Sequence, residues 1–354
     1  MSKNNLIFTT SEGHLSIAKA LAAFLQGQSV NTELVFREEA GLKYYQFLYR
    51  HTPYLFAPFY HLSKNDVINF FLKKYLLSEH QNFTEETIIS RRPNIVFNTS
   101  FGFNESLLNT QSRQPFTFIN IVPNPRTFFL QDLAPADVTC VFDEREKKDV
   151  QKILPHSEII QTGWFVRPEF EQPYSKKIVR KELGFDEHTP LFLFVTGSEG
   201  TESVLDLIET TSQLPHIQLA VACGNNKNLL DKVSAIAEQS VAPVTAIPFT
   251  TEIYKYMQAA DLVVGKGGPN MIFESMATHT PFFVTTHISG LEDGNSEVIK
   301  EYGVGFVEEN VASATKKMKQ LVENPEKIEE LQPNIKKLAS YNVNYRKNLL
   351  SYLQ

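Results

Sequence analysis

Short apolar runs alternate with amphipathic stretches along most of the chain. Leu6–Thr10 is a strand-length run, and the segment after it places Ile17, Leu21, Phe24 and Leu25 at helical spacing on one face. Further strand-like runs are predicted at Glu33–Phe36, Asn94–Thr99, Phe116–Val122, Val138–Phe142 and Glu158–Thr162. Prolines at 168 and 173 interrupt this rhythm, and a linker is predicted near Phe165–Tyr174. The second half repeats it, with strands predicted at Leu191–Val195, Gln218–Cys223, Val244–Pro248, Leu262–Lys266, Phe282–Thr286 and Gly305–Val307. Helices are predicted between them at Thr201–Gln213, Asn228–Gln239, Glu252–Ala259, Asn270–Thr278 and Ser296–Tyr302. Strand followed by helix implies parallel crossovers, so the predicted fold class is α/β, with two doubly wound, Rossmann-like domains and an inter-domain cleft.

The length of 354 residues agrees with two domains, at roughly 150 residues each. The expected division is 1–167, 168–335 and a C-terminal helix, 336–354, packing back on the first domain. Apolar residues make up 42% and charged residues 21%, as in soluble globular chains. The net charge of −6 disfavours general nucleic-acid binding, which needs a cationic face. Cys140 and Cys223 lie in apolar runs and fit core positions in a reducing compartment. The N-terminal MSKNNLIFTT carries too short an apolar stretch for a signal peptide, and no run of 18 apolar residues occurs. A cytoplasmic location is the expectation.

Five segments are candidates for chemistry. Val195-Thr196-Gly197-Ser198-Glu199-Gly200 follows an apolar run and opens a helix, a geometry that suits phosphate; a bare strand-to-helix turn uses glycine too. Gly265-Lys266-Gly267-Gly268-Pro269-Asn270 ends a strand and starts a second helix, with Glu274 inside it, where a carboxylate can accept ribose hydroxyls. The chain has only 16 glycines and spends three here. Ser289–Asn295 is a polar loop after a strand; Glu292, Asp293 and Asn295 could bond a sugar or simply form a turn. Ser11-Glu12-Gly13-His14 places a histidine in the first strand-to-helix loop, as a general base or as a packing residue.

The fifth segment is 42–77. Tyr44, Tyr45, Phe47, Tyr49, Tyr54, Phe56, Phe59, Tyr60, Phe70 and Phe71 interleave with Lys43, Arg50, Lys64, Lys73 and Lys74. Rings at headgroup depth and cations on anionic lipid suit a bilayer interface. A helical core insert or a dimer surface has the same composition, and single-strand nucleic-acid stacking ranks lower because no basic stripe continues elsewhere. There is no Gly-x-Ser-x-Gly elbow, no Asp-x-Asp pair for a divalent ion, no Gly-x-Gly-x-x-Gly and no histidine pair spaced for metal.

The series KGGPNMIFESM at Lys266–Met276 and LEDGN at Leu291–Asn295 resembles the Lys-small-Gly-Pro, Glu-x-Met and Gln-Glu-x-x-Asn motifs of a set of GT-B glycosyltransferases. That set, glycosyltransferase family 28, includes bacterial diacylglycerol glucosyltransferases, plant monogalactosyldiacylglycerol synthases and, more distantly, MurG. CGNNKNL at Cys223–Leu229, PFTTEIYKYM at Pro248–Met257 and TGWFVRPEF at Thr162–Phe170 are similar to further segments of these enzymes. Two positions differ: Leu291 stands where the family has Gln, and the first loop reads Ser-Glu-Gly-His rather than a fuller glycine run.

The resemblance implies a UDP-sugar donor in the C-terminal domain. Gly197, Ser198 and the turn Gly267-Gly268-Pro269-Asn270 would face the diphosphate, Phe249 the uracil, Glu274 the ribose, and Glu292 and Asn295 the donor sugar. His14 would be the catalytic base. Tyr54, Phe56, Phe59, Tyr60, Lys73 and Lys74 would meet the acceptor and an anionic membrane. The activity implied is hexose transfer to diacylglycerol or a related glycolipid, inverting, without metal or cofactor, on the cytoplasmic face of the cell membrane. The alternatives are a UDP-GlcNAc epimerase and a non-catalytic partner that stabilises another transferase.

Overall fold

The structure is a computed structural model. It describes residues 4–10, 13–38, 58, 62, 65–126, 132–197 and 204–353. The chain divides into two compact units. The first is Met1–Pro168 with Ile288–Gly294 and Ser340–Gln354; the second is Glu169–His287 with Asn295–Ala339.

The first unit holds a parallel sheet of β1 (Asn5–Thr9), β2 (Thr32–Phe36), β3 (Ile95–Asn98), β4 (Thr117–Ile121), β5 (Val138–Val141) and β6 (Glu158–Gln161), in the order β2-β1-β3-β4-β5-β6. β1, β3 and β5 are buried at every residue, as expected of parallel strands covered on both faces. The helices are α1 (Gly13–Gly27), α2 (Asp66–Arg91), α3 (Asn104–Gln111) and α4 (Glu144–Ile153). Leu6, Phe8, Val96, Phe103, Leu107 and Phe118 form one core with Ile88 of α2.

The predicted linker is narrower than expected. Trp164, Phe165 and Val166 are buried, and the Phe165 ring packs on Phe24 of α1. Burying these rings outweighs the tendency of a proline-flanked stretch to stay in solvent. The C-terminal segment Ser340–Gln354 belongs to this unit. Asn342 Oδ1 accepts from Trp164 N (2.9 Å), Tyr341 Oη donates to Phe142 O (2.8 Å), and the Arg346 guanidinium lies over the Phe24 ring.

The second unit holds the second parallel sheet: β7 (Leu191–Val195), β8 (Gln218–Ala222), β9 (Val244–Ile247), β10 (Leu262–Lys266), β11 (Phe282–Thr286) and β12 (Gly305–Val307). Its order, β12-β11-β10-β7-β8-β9, reverses direction between β7 and β10. Ligands of doubly wound sheets bind beyond the carboxyl ends of the strands at such a reversal. The helices are α5 (Lys176–Leu183), α6 (Leu205–Ser212), α7 (Lys227–Gln239), α8 (Ile253–Ala259), α9 (Pro269–Ala277), α10 (Asp293–Tyr302), α11 (Val311–Glu323) and α12 (Glu326–Glu329). A further helix, α13 (Gln332–Tyr345), begins among the residues of this unit and ends among those of the first. Phe192, Phe194, Leu219, Val221, Val264, Phe283 and Met318 are among the residues that fill the core.

Candidate functional site

In the second unit the two glycine loops leave the sheet side by side. β7 and β10 pair with Val195 opposite Gly265, and Gly197 and Gly267 each come two residues later. The strands approach closely enough that a Cβ on Gly265 would stand 2.5 Å from Val195 O. Gly197 adopts φ 81°, a left-handed conformation open to glycine at little cost. Thr196 Oγ1 donates to Ala222 O (2.7 Å) and holds the loop base against β8. Ser198 lies outside the described residues, as does the rest of this loop to residue 203.

The second loop is tied more firmly. Gly267 N donates to Thr286 O and Gly268 N to Lys266 O, both at 2.8 Å. Gly268 is the N-cap of α9, with no side-chain capping bond, and Pro269 takes the first helical position. A helix opening without a capping oxygen, at a sheet reversal, is where a phosphate finds oriented N–H groups and the positive end of the helix dipole. Glu274 is buried on α9, more than one turn from that opening.

Asn295 is 1% exposed and acts on the same turn. Its Nδ2 donates to Gly267 O (2.8 Å), while its Oδ1 has no partner among the described residues. Asn295 therefore braces the glycine turn against the start of α10. Glu292 belongs by contacts to the first unit and is buried too; its Oε2 accepts from Ile288 N (2.8 Å) and closes its own loop. Phe249, just past the end of β9, is 54% exposed and offers an open ring face.

In the first unit the strand order reverses between β1 and β3, and His14 stands there. It is the second residue of α1, and its Nδ1 meets Thr99 O at 2.7 Å, past the end of β3. A carbonyl accepts only, so Nδ1 carries the proton, and Nε2 holds the lone pair when the ring is neutral. Thr99 Oγ1 donates to Thr9 Oγ1 (3.0 Å), and the Phe101 ring packs edge-on to the imidazole.

α2 is amphipathic in an unusual way. Leu76, His80, Thr84 and Ile88 face inward, and burial lowers the affinity of His80 for a proton. At its amino-terminal end Val67, Phe70, Phe71 and Tyr75 line one outer face, with Phe70 62% and Phe71 63% exposed. Lys74 is exposed, four residues after Phe70, whereas Lys73 pairs with Glu105 (3.0 Å) on α3. Tyr54, Phe56, Phe59 and Tyr60 lie outside the described residues.

Two clusters escaped the sequence reading. Beyond β4 and β5, Arg126 Nη2 donates to Asp143 Oδ2 (2.6 Å), Asp143 Oδ1 caps α4 by accepting from Glu146 N (2.9 Å), and Glu146 Oε2 accepts from Phe142 N (2.7 Å). Burial pushes the Glu146 carboxyl up to about 8. An Asp three residues before a Glu at a helix start was the available signal. Beyond β11 and β12, His287 Nδ1 pairs with Glu309 Oε1. No group of three metal-ligating side chains occurs among the described residues, and no described helix is long and apolar enough to cross a membrane.

Residues 191–348 match the family model described as the glycosyltransferase family 28 C-terminal domain. The chloroplastic monogalactosyldiacylglycerol synthase of Spinacia oleracea is 28% identical over 345 residues, covering 85% of this chain and 62% of the spinach protein. A processive diacylglycerol beta-glucosyltransferase of Bacillus pumilus is 24% identical over 194 residues, 54% of this chain and 51% of its own length. The chain spans 60–62% of the length of the first plant relatives it matches. MurG of Acinetobacter baumannii superposes with a TM-score of 0.65 at 14% identity, over 99% of both chains. Residues 191–348 thus resemble the glycosyltransferase family 28 C-terminal domain, on a chain with the two-sheet GT-B fold that is similar to curated monogalactosyldiacylglycerol synthases and a diacylglycerol glucosyltransferase.

Proposed function

We propose that the protein is a membrane-associated hexosyltransferase that moves a sugar from a UDP-sugar to diacylglycerol or a related glycolipid, with inversion and without a metal ion. The observation that carries this reading is the adjacency of the Gly197 and Gly267 turns at the β7/β10 reversal, one of them opening α9 without a side-chain cap. The names of the curated relatives support the lipid acceptor.

The acceptor hydroxyl attacks the anomeric carbon of the donor, forming the new C–O bond as the bond to the β-phosphate oxygen breaks. The bonding pair leaves with UDP, and the hydroxyl proton passes to His14 Nε2. His14 suits this because Thr99 O fixes its tautomer. Charge grows on the departing diphosphate, and the N–H groups at the α9 opening stabilise it without reorganising. Glu274 takes the ribose, Phe249 the uracil, and Asn295 keeps the turn in place for the sugar. The exposed apolar face of α2, with Lys74, rests on the cytoplasmic leaflet of the cell membrane, where anionic headgroups complement the cation.

The test is purified protein with UDP-glucose or UDP-galactose, diacylglycerol vesicles and EDTA. Glycolipid formation is expected with at least one donor. UDP-sugar turnover without lipid indicates an epimerase instead, and absence of UDP binding indicates a non-catalytic partner.

A further inference from the structure

The inner face of α2 holds an imidazole without a hydrogen bond. His80 is fully buried, and neither its Nδ1 nor its Nε2 has a partner. Its ring packs on Phe103, with centroids 4.7 Å apart. A neutral imidazole carries one N–H and one lone pair, so both are buried unpaired, a cost that an apolar side chain would not bring. Beside it, Gln81 Oε1 is buried without a partner as well. Neutral groups join α2 to α3 here: Thr84 Oγ1 with Ser106 Oγ (2.8 Å) and Gln81 Nε2 with Thr110 Oγ1 (3.3 Å). From Asp66 to His80, Leu76 and His80 are the only buried positions of α2, while Phe70 and Phe71 face outward.

The surroundings of His80 do little to hold a proton. Glu79, on α2 itself, lies 3.9 Å from Nε2 and favours the proton; Arg37, whose guanidinium sits over the Phe83 ring, disfavours it. Glu105 is the only ionisable residue of α3 and pairs with Lys73 (3.0 Å). The turn Phe101–Phe103 and β1 bring no ionisable side chain, and Glu33 of β2 pairs with Arg91 at the far end of α2 (3.1 Å). Burial outweighs the pull of Glu79, and the affinity of the ring for a proton falls below its ordinary value of 6.5.

We propose that the amino-terminal half of α2 is a proton-operated latch: neutral His80 keeps it closed against Phe103, and protonated His80 releases it to an anionic lipid surface. Opening carries the charged imidazole into water and frees Leu76 to join Phe70 and Phe71 at an interface, with one more cation beside Lys73 and Lys74 for the headgroups. The closed form holds the proton less tightly than the open form, so closure is favoured above the ordinary value of 6.5 and weakens as pH falls below it. Release to lipid rests on the membrane reading above; opening in water does not.

Hydrogen exchange followed by mass spectrometry reads the opening of α2 in the full chain. Protection factors, which correct for the pH dependence of the exchange chemistry, should fall about tenfold in the amides of Leu72–His80 between about pH 7.5 and about pH 5, and less than about twofold in α7. His80→Phe and His80→Leu each remove the proton site and the unpaired nitrogens, so protection of α2 in them should change less than about twofold over the same range. Binding to phosphatidylglycerol vesicles should rise as pH falls for the wild-type chain and stay level in both variants. Wild-type α2 protection that does not respond to pH, a fall shared equally by α7, or the same fall in either folded variant overturns the latch. Vesicle binding that ignores pH while α2 opens overturns the release to lipid, and a wild-type chain that binds no vesicles at any pH overturns the membrane reading and leaves the opening in water standing.

Discussion

Gly265 lies so near Val195 that a Cβ on it would meet the Val195 carbonyl oxygen at 2.5 Å. The obstacle is backbone, which cannot rotate away, so the close pairing of β7 and β10 depends on the missing side chain. The same contact sets the two glycine turns beside each other. Gly265→Ala should therefore separate the strands and cost about 1–3 kcal/mol of stability. Urea unfolding followed by circular dichroism measures this, and UDP affinity should fall with it.

Glu274→Gln should weaken UDP binding about tenfold or more, since a charge-assisted bond to a hydroxyl contributes roughly 1.5–3 kcal/mol. Uridine analogues lacking ribose hydroxyls should show little difference between wild type and variant. Equal losses with those analogues would remove the ribose role.

His14→Gln should lower kcat by about 10²–10⁴-fold, the usual contribution of a positioned base. UDP affinity should stay near the wild-type value, because His14 stands on the first sheet and the glycine turns on the second. Single-turnover glycolipid formation and UDP titration together check the split.

Phe70→Ser with Phe71→Ser should release the protein from vesicles containing phosphatidylglycerol and diacylglycerol. Each exposed ring that enters the interface contributes up to about 1.5–3 kcal/mol, so cosedimentation should drop more than tenfold. Thermal stability should be preserved, as neither ring is in the core.

The Glu146 carboxyl, raised by burial from an ordinary value of 4.5 to about 8, makes stability depend on pH. The folded chain holds this proton across a range in which the unfolded chain has lost it. Its contribution therefore declines as pH rises from about 4.5 and levels off above about 8. Glu146→Gln keeps the acceptor for Phe142 N and removes the titration. Its stability relative to wild type should grow between pH 5.5 and 8.5, as urea midpoints at the two pH values will show.

The sequence by itself determined the elements. A parallel strand buried on both faces needs a run of apolar residues, and Leu191–Val195, Leu262–Lys266 and Phe282–Thr286 are observed with the predicted bounds, as is the half-buried edge strand Gly305–Val307. The start of α9 was equally legible, because Gly268-Pro269 acts through local backbone geometry. The tertiary structure alone decided which turns became neighbours. Sheet order is set by how helices pack across the faces, and it joins Gly197 to Gly267 across 70 residues of chain. It likewise decided that Asn295 braces Gly267, that Arg126 finds Asp143, and that His287 meets Glu309. Such contacts depend on strand register and burial, which residue spacing does not encode.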